Sequence, residues 1–212
     1  MHAIIKYKKY GLMRFLSAIE TSNAIERNIR RSGLPFALTE GFHKKPKISY
    51  LDPTPTGVVN LALYTRVDFS GRVEGVLSKL KETSLKGISP EKLWWTELNP
   101  NKLVTAYAFK ILIPKKCADL SAYDSARQIV ITEKSKSGPI SYFFENVQFN
   151  SQGEFLVIRY EQKRDRLIRA RYLYQPILRE EECSVLVTCT EALCDGRKLS
   201  EILEESSWAI ES

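Results

Sequence analysis

The hydrophobic pattern of the first hundred residues changes between a period of two and a period of three to four. HAIIKYKK has the β-prone character of a strand, whereas Ile19, Ile25 and Ile29 with Ala24 follow helical spacing. Ser17 and Glu20 form an S-x-x-E capping box at the change. We predict a strand that bends near Gly11 and continues to Ser17, then a helix over residues 18–32 that ends at Gly33 and Pro35. A chain of this kind packs helices against a sheet.

The alternation continues to about residue 97. The stretch 35–59 contains four prolines and two glycines, which exclude a helix and leave short strands around 36–39 and 47–51. LALYTRVDF predicts another strand, GRVEGVLSKLKETS a helix and ISPEKLWWTE a closing strand. In that strand the adjacent Trp94 and Trp95 are expected on opposite faces, one of them in the core. The resulting order, β-α-β-β-α-β, is the split βαβ arrangement.

The second half repeats this order in outline. KLVTAYAFKILIP predicts a strand, and a short helix is expected around 120–128. SYFFENVQF and EFLVIRYEQ form a hairpin through Asn-Ser-Gln-Gly, followed by the strand CSVLVTCTE and a helix over 198–205. We therefore predict an α+β protein of two ferredoxin-like (split βαβ) halves with mainly antiparallel sheets. The predicted domains are residues 1–99, which carry the GFHKKPKIS motif, and residues 100–212.

Charge and cysteine content bound the function. The formal net charge is +7 and the pI about 9.2, which favours polyanionic partners. There is no run of about 20 apolar residues and no secretory leader pattern, so we expect a cytoplasmic protein that does not cross a membrane. The four cysteines, Cys117, Cys183, Cys189 and Cys194, form no C-x-x-C pair. We expect reduced thiols and no metal site.

The stretch Gly41 to Tyr50 carries the densest group of candidate binding residues. Lysines can neutralise phosphates and the exposed ring of an aromatic residue can stack on a base. The alternative is a solvated lysine loop whose aromatic residues are anchored in the core. The candidate nucleic-acid-binding residues of this stretch are Phe42, His43, Lys44, Lys45, Lys47 and Tyr50.

Two further basic groups accompany this stretch. Arg27, Arg30 and Arg31 end the first predicted helix and Arg14 precedes it, so these four complete the candidate nucleic-acid-binding set. Cations at a helix C-terminus also complement the helix dipole, which is the structural alternative. The other group contains Lys163, Arg164, Arg166, Arg169 and Arg171. Arg169 and Arg171 would line one strand face, or pair with the acidic run 180–182 and the C-terminal helix.

The case for catalysis rests on His43, the candidate catalytic residue. A histidine beside lysines can act as general acid or base in metal-independent RNA cleavage. No second internal histidine is present to form an acid/base pair. Motifs of nucleotide-binding loops, zinc hydrolases and serine hydrolases are also missing. We expect a binding role without a cofactor and leave enzymatic activity open.

Three ordered motifs in the first 70 residues resemble a known family. They are Tyr10 to Ser17, Glu26 to Pro35, and the G-F-H-x-x-P-K-I-S pattern within Glu40 to Tyr50. The chain resembles the radical-SAM-linked domain of unknown function, a bacterial family fused to or encoded beside cobalamin-binding radical S-adenosylmethionine (SAM) proteins. In that family histidine and aspartate follow the motif serine, and a second histidine lies in the loop. Here those positions hold Ala18, Glu20 and Lys45.

The resemblance implies an accessory protein that supports a radical SAM enzyme, in a role such as RNA modification. The iron–sulfur cluster would belong to the partner, because this chain lacks a C-x-x-x-C-x-x-C run. Our first hypothesis is therefore an accessory protein that binds or presents RNA through a basic surface. The alternatives are a metal-independent RNA-processing enzyme using His43 and a non-catalytic protein-interaction scaffold.

Overall fold

A computed structural model describes residues 1–71, 73–179 and 182–212. The chain divides into a first unit, Met1–Val104 with Arg197–Ser212, and a second unit, Thr105–Gly196. The fold is α+β with mainly antiparallel pairing, as the sequence pattern predicts. No described helix is both long and apolar enough to cross a lipid bilayer.

The helices and strands alternate along both units. The first unit begins with β1 (His2–Lys9), a 3₁₀ helix (Gly11–Phe15), α1 (Ala18–Arg31), β2 (Ile48–Tyr50), β3 (Val59–Asp68), α2 (Val76–Thr83), β4 (Ile88–Trp95) and α3 (Pro100–Leu103). The second unit contains β5 (Ala106–Pro114), α4 (Tyr123–Ala126), β6 (Val130–Glu133), β7 (Lys136–Pro139), α5 (Ile140–Phe143), β8 (Glu145–Gln152), β9 (Phe155–Lys163), α6 (Arg171–Tyr174) and β10 (Leu186–Cys194). The first unit resumes with β11 (Arg197–Lys198), α7 (Leu199–Ser206) and β12 (Ala209–Glu211).

The sheet of the first unit has the order β12-β4-β1-β3-β2, and each of these pairs is antiparallel. Alternate residues of β1 enter the core because successive side chains of a strand point to opposite faces. Ala3, Ile5 and Tyr7 are fully buried in one cluster with Trp95 of β4. Trp94 is also buried and contacts Tyr64 instead, so the two adjacent tryptophans are in separate surroundings.

Helix α1 forms where the sequence predicts it. Ser17 accepts a hydrogen bond from Glu20 N–H, and the Ser17 N–H donates to the Glu20 carboxylate, which completes the capping box. The buried positions Thr21, Ala24, Ile25, Asn28 and Ile29 form one stripe of an amphipathic helix. Ile19, which was predicted to belong to this stripe, is 72% exposed.

A buried polar network joins α1 to β1 and α2. Tyr7 Oη donates to Asn28 Oδ1 at 3.0 Å, and Asn28 Nδ2 donates to Leu80 O and Thr83 Oγ1, both at 2.9 Å. Because a buried polar group without a partner is costly, this network fixes the position of α1 on the sheet.

The prediction that the first strand bends at Gly11 and continues to Ser17 is wrong. The strand ends at Lys9, and residues 11–15 form the 3₁₀ helix. Gly11 adopts φ +59°, which a glycine reaches without a steric penalty. Tyr10 N–H then donates to Gly87 O at 2.9 Å, so the turn is held against the start of β4 by a contact distant in sequence.

The short strands predicted around residues 36–39 and 47–51 are confirmed in part. Residues 48–50 form β2, which pairs with β3, whereas residues 36 and 38 make only isolated bridges, to Phe69 and Pro46. Pro35 and Pro46 flank this stretch and limit regular pairing.

The principal sheet of the second unit has the order β10-β5-β9-β8, again antiparallel. The predicted hairpin is confirmed, with β8 and β9 joined at Gly153 and Glu154. Counted along the chain, the four strands of this sheet and strands β1 to β4 of the first unit therefore both have the order fourth, first, third, second, and the first unit adds β12 beside β4. The assignment of the two halves to the ferredoxin-like fold stays a prediction.

Two predictions for the second unit are wrong. Cys117 and Cys183 form a disulfide with a Cα–Cα distance of 6.1 Å, so they are not reduced thiols; Cys189 and Cys194 are buried thiols. Strand β10 begins only at Leu186, so Cys183 lies before the strand that was predicted to contain it. The disulfide brings together residues 66 positions apart, which no local spacing indicates.

The predicted strand face of Arg169 and Arg171 is also wrong, because residues 164–166 are a 3₁₀ helix and α6 begins at Arg171. Arg169 Nε is 3.2 Å from Glu133 Oε1. Glu180 and Glu181 of the predicted acidic partner run lie outside the described residues.

Candidate nucleic-acid interface

Six cations of the first unit form what we call the basic surface: Arg27, Arg30, Arg31, Lys44, Lys45 and Lys47. The arginines lie at the C-terminal end of α1 and the lysines on the loop that precedes β2. Arg30 joins the two parts because its Nη2 donates to Lys44 O at 3.3 Å. The structure therefore brings the two sequence-predicted basic groups of this unit together.

The lysine loop is closed at its base by backbone hydrogen bonds. Thr39 N–H donates to Lys45 O at 2.7 Å, and Lys45 N–H donates to Thr39 Oγ1 at 3.1 Å. Lys47 N–H donates to Ala37 O at 2.9 Å. Gly41, at φ +133°, adopts a backbone conformation that favours glycine at the tip. These contacts present residues 40–44 as a projecting tip.

Phe42 is at this tip and its side chain is fully exposed. The alternative in which the loop aromatics are anchored in the core does not apply to Phe42. Its one ring contact in the described structure is His43, at a centroid distance of 5.9 Å in a T-shaped arrangement. Both faces of an isolated exposed ring are accessible to a planar ligand.

The cations of the basic surface differ in how they are used. Arg30 pairs with Glu26 at 2.9 Å, and Arg31 Nη2 donates to Thr83 O at 3.0 Å. Arg27 and the three lysines form no ion pair within residues 1–71, 73–179 and 182–212. Most of the positive charge on the loop is therefore available to an anion.

Two sequence-predicted residues, Arg14 and Tyr50, make contacts with residues outside the basic surface. Arg14 Nη1 donates to Gly11 O at 2.9 Å, and its guanidinium lies over the Phe15 ring at 4.3 Å, before α1 begins. Tyr50 Oη donates to Ser22 O at 3.2 Å in the first half of α1. Burial, with a smaller contribution from Glu26, raises the pKa of Tyr50, so this residue stays a neutral phenol. At 1.5 Å per residue, Ser22 and Arg31 are about 13 Å apart along the helix.

His43 has little structural support for acid/base work. It is exposed, and Phe42 is the one partner that the described residues provide. The other histidine, His2, is bound elsewhere, with Nδ1 2.6 Å from Asp68 Oδ1. Within the described ranges no three His, Cys, Asp or Glu side chains are grouped as metal ligands.

The second basic group, Lys163 to Arg171, is electrostatically different. Glu145 is 3.4 Å from Lys163 Nζ and 3.5 Å from Arg166 Nη1, and Glu133 pairs with Arg169. The Arg166 guanidinium also lies over the Tyr142 ring at 4.1 Å. These cations are used within the second unit and leave less charge for a ligand.

Sequence reasoning missed Lys9, which is buried beside a cavity at the first half of α1. The signal was present in the strand period, because Lys9 follows Ala3, Ile5 and Tyr7 at alternate positions of β1. A lysine at the fourth inward position of a strand predicts a buried amine.

Residues 2–192 match the family described as "Uncharacterized protein conserved in bacteria (DUF2344)". The chain belongs to this family. The match extends beyond the first 70 residues, on which the sequence resemblance rested, and its description names no radical SAM partner. No curated protein matches the chain.

Proposed function

We propose that this DUF2344 protein is an accessory protein that binds RNA on the basic surface and presents it to a radical SAM enzyme. The observation that carries the RNA-binding part is Phe42, a fully exposed aromatic ring on a loop of lysines without ion-pair partners in the described structure. An apolar ring in that position gains nothing for the core of the fold, whereas it offers a stacking face to an unpaired base.

The proposed binding mode combines stacking with phosphate neutralisation. Stacking of a base on Phe42 contributes about 1–3 kcal/mol and tolerates any base. Lys44, Lys45, Lys47 and Arg27 neutralise phosphates on either side and release counterions. Because sequence-specific proteins read RNA mostly where bases are unpaired, loops and single strands are the expected ligands.

The radical SAM partner is the finer part of the proposal. Its support is the resemblance of the motifs at residues 10–17, 26–35 and 40–50 to the radical-SAM-linked family. The basic surface lies on two of these three motifs, so the residues that carry the resemblance also carry the proposed RNA contacts. In this arrangement the partner supplies the cluster and the chemistry.

The proposal places the protein in the cytoplasm, where RNA is modified. The Cys117–Cys183 disulfide argues in the opposite direction, because cytosolic thiols are generally kept reduced. Rapid alkylation of the protein in intact cells, followed by mass spectrometry, shows whether Cys117 and Cys183 are reduced or disulfide-bonded there. Cytoplasmic residence predicts that both cysteines are alkylated in the cell.

The first test is fluorescence anisotropy with a labelled RNA of tRNA size at low and at physiological salt. We expect a dissociation constant in the micromolar range. The logarithm of the association constant should fall linearly with the logarithm of the salt concentration. Absence of binding at both salt concentrations would overturn the RNA-binding proposal and leave the protein-interaction scaffold as the alternative.

Two variants separate the contributions of the loop. Replacing Lys44, Lys45 and Lys47 by alanine should reduce the salt slope by about two to three units if each lysine contacts one phosphate. Phe42→Ala should weaken binding about 5- to 150-fold with the slope unchanged, because stacking involves no counterion.

The matched control is a triple variant of the second basic group, Lys163→Ala, Arg166→Ala and Arg169→Ala. It removes the same number of positive charges as the loop variant. These cations are already paired with Glu145 and Glu133, so the salt slope should change much less. Equal losses for the two triple variants would show a response to net charge alone.

The RNA-processing alternative is tested with His43→Ala. Our proposal predicts that RNA incubated with the wild type or with this variant stays equally intact. A cleavage product made by the wild type alone would replace the accessory role with catalysis at His43.

A further inference from the structure

A cavity of about 240 Å³ opens to solvent beside the first half of α1. Its walls are largely apolar and include Ile19, Tyr50, Leu51, Pro53 and Leu63. The volume accommodates a small organic molecule and is far larger than a single water requires. Neither Phe42 nor any cation of the basic surface is among its lining residues.

Lys9 lines this cavity at the end of β1 and is only 2% exposed. Its Nζ donates one long hydrogen bond, to Leu16 O at 3.4 Å. Within the described ranges no carboxylate forms an ion pair with it. Its neighbour Lys8 provides the contrast, because that side chain is more exposed and pairs with Glu91.

An ammonium group in these surroundings is expensive to keep charged. Removing a charge from water without a counter-ion costs far more than one hydrogen bond returns, so burial favours the neutral amine relative to the ammonium. Burial accordingly lowers the pKa of Lys9. A neutral amine is a nucleophile toward carbonyl carbon, whereas it offers a bound anion no charge.

We propose that Lys9 is the nucleophile of a carbonyl-binding site, which takes a small aldehyde or ketone with an apolar body into this cavity. The neutral amine attacks the carbonyl carbon, the C–N bond forms as the C=O π bond opens, and one N–H proton passes to the oxygen to give a carbinolamine. The C–O bond then breaks, the hydroxyl leaves with the second N–H proton as water, and a neutral Schiff base remains at Nζ. Neither an oxidant nor a reductant is consumed in this step.

Thr54 is positioned to assist at the same cavity. Thr54 lines the cavity, and its buried Oγ1 has no hydrogen-bond partner within residues 1–71, 73–179 and 182–212. A buried hydroxyl without a partner is costly, and the oxygen of a bound carbonyl compound supplies the missing acceptor. Thr54 is thus a positioning residue in this site.

The experiment is reductive trapping with hexanal and sodium cyanoborohydride, read by peptide mass spectrometry. At pH 7 we expect Lys9 to be alkylated several-fold faster than Lys8. Between pH 7 and pH 9 the neutral fraction of an ordinary exposed lysine rises about 100-fold. Labelling of Lys9 should rise less, because its pKa is lower.

Two variants connect the labelling to the cavity. Ile19 is 72% exposed and lines the cavity, so Ile19→Trp can narrow the entrance without a change in the core. It should slow Lys9 labelling and leave Lys8 unchanged. Thr54→Val, which keeps the shape, should slow Lys9 labelling by hexanal and leave Lys8 unchanged.

The proposal is overturned if wild-type Lys9 is labelled no faster than Lys8 at pH 7, or if both follow the same pH profile. This reading needs no variant, so a folding defect cannot obscure it. RNA binding is measured separately, and Lys9→Met should leave the salt slope for RNA unchanged. Failure of one proposal therefore does not imply failure of the other.

Discussion

The two units have the same order of principal strands but are stabilised in different ways. In the first unit, α1 has 14 residues and α2 has eight, and both contribute buried side chains to a common core. In the second unit the α-helices have four residues each, and the Cys117–Cys183 disulfide closes a long loop. The comparison shows that sheets with the same strand order can be stabilised by helices packed on the sheet or by a covalent cross-link.

The basic groups of the two units differ in a parallel manner. In the second unit, Glu133 and Glu145 form ion pairs with three of the cations. In the first unit, the loop lysines have no such partners among the described residues. The unit with the stronger internal framework of helices is thus also the one that leaves charge available for a ligand.

The largest expected effect tests the role of the cross-link. Replacing Cys117 and Cys183 by serine should lower the free energy of unfolding of the second unit by about 4 kcal/mol, because the disulfide closes a 66-residue separation. Hydrogen exchange should show faster exchange in β5, β9 and β10. Exchange in β1 and β3 should stay unchanged.

Tryptophan fluorescence gives an independent control. Trp94, Trp95 and Trp208, the three tryptophans of the chain, are all in the first unit. Their unfolding transition should stay in place after the double serine change. An equal shift of that transition would break the comparison, because the units would then share their stability.

The next effect tests the polar network of the first unit. Asn28→Ala leaves Tyr7 Oη, Leu80 O and Thr83 Oγ1 without the partners described above. We expect a loss of about 3 kcal/mol in the free energy of unfolding, read by tryptophan fluorescence. Asn23→Ala, an exposed change on the same helix, is the control and should cost less than about 1 kcal/mol. A loss for Asn23→Ala as large as that for Asn28→Ala would show that the buried network is not the cause, because alanine has the higher helix propensity of the two residues.

A smaller effect tests the start of α1. Ser17→Ala removes the side-chain acceptor of the capping box and should cost about 1 kcal/mol. Ser22→Ala is the control, because Ser22 Oγ donates to Ile19 O inside the helix and caps nothing. A loss no larger than that of Ser22→Ala would show that α1 is held by its buried stripe alone.

The elements predicted most accurately from the sequence are those with local signals. The helix α1 carries its own capping box and stripe, and the hairpin of β8 and β9 carries its own turn residues. In both cases the interactions that decide the structure lie within a few residues of one another. The arginines and lysines of the basic surface also lie within 21 residues of the chain, and their role in binding stays a prediction.

The features that were missed depend on contacts distant in sequence. The turn after Lys9 is stabilised by the hydrogen bond from Tyr10 N–H to Gly87 O. Cys117 forms its disulfide with Cys183, 66 positions away in the chain. Residues 197–212 belong to the first unit, where β12 pairs with β4, although they follow the second unit in the chain. Lysines are mostly exposed in proteins, so residue type alone favours a solvated Lys9, and only its position in the strand period indicates burial.

The smallest expected effect is a pH dependence of stability that originates at Glu20 in the first unit. The Ser17 N–H donates to the Glu20 carboxylate at 2.8 Å, and this hydrogen bond, with that of the Ser17 side chain, holds the pKa of Glu20 below its usual range. A carboxyl whose folded pKa is depressed stabilises the fold above its unfolded pKa and loses that contribution as pH falls through the folded pKa. The stability difference between wild type and Glu20→Gln should therefore be constant near neutral pH. It should shrink as pH falls below about 4.

Asp119 of the second unit provides the matched case. The Ser121 side chain and N–H donate to Asp119, and they lower the pKa of its carboxyl in the same manner. Because the tryptophans are in the first unit, Asp119→Asn should leave the fluorescence transition unchanged at every pH, whereas Glu20→Gln alters it. Suppose that Asp119→Asn instead shifts that transition with the same pH dependence as Glu20→Gln. Protonation in the second unit would then change the stability of the first, and the stabilities of the two units would be coupled.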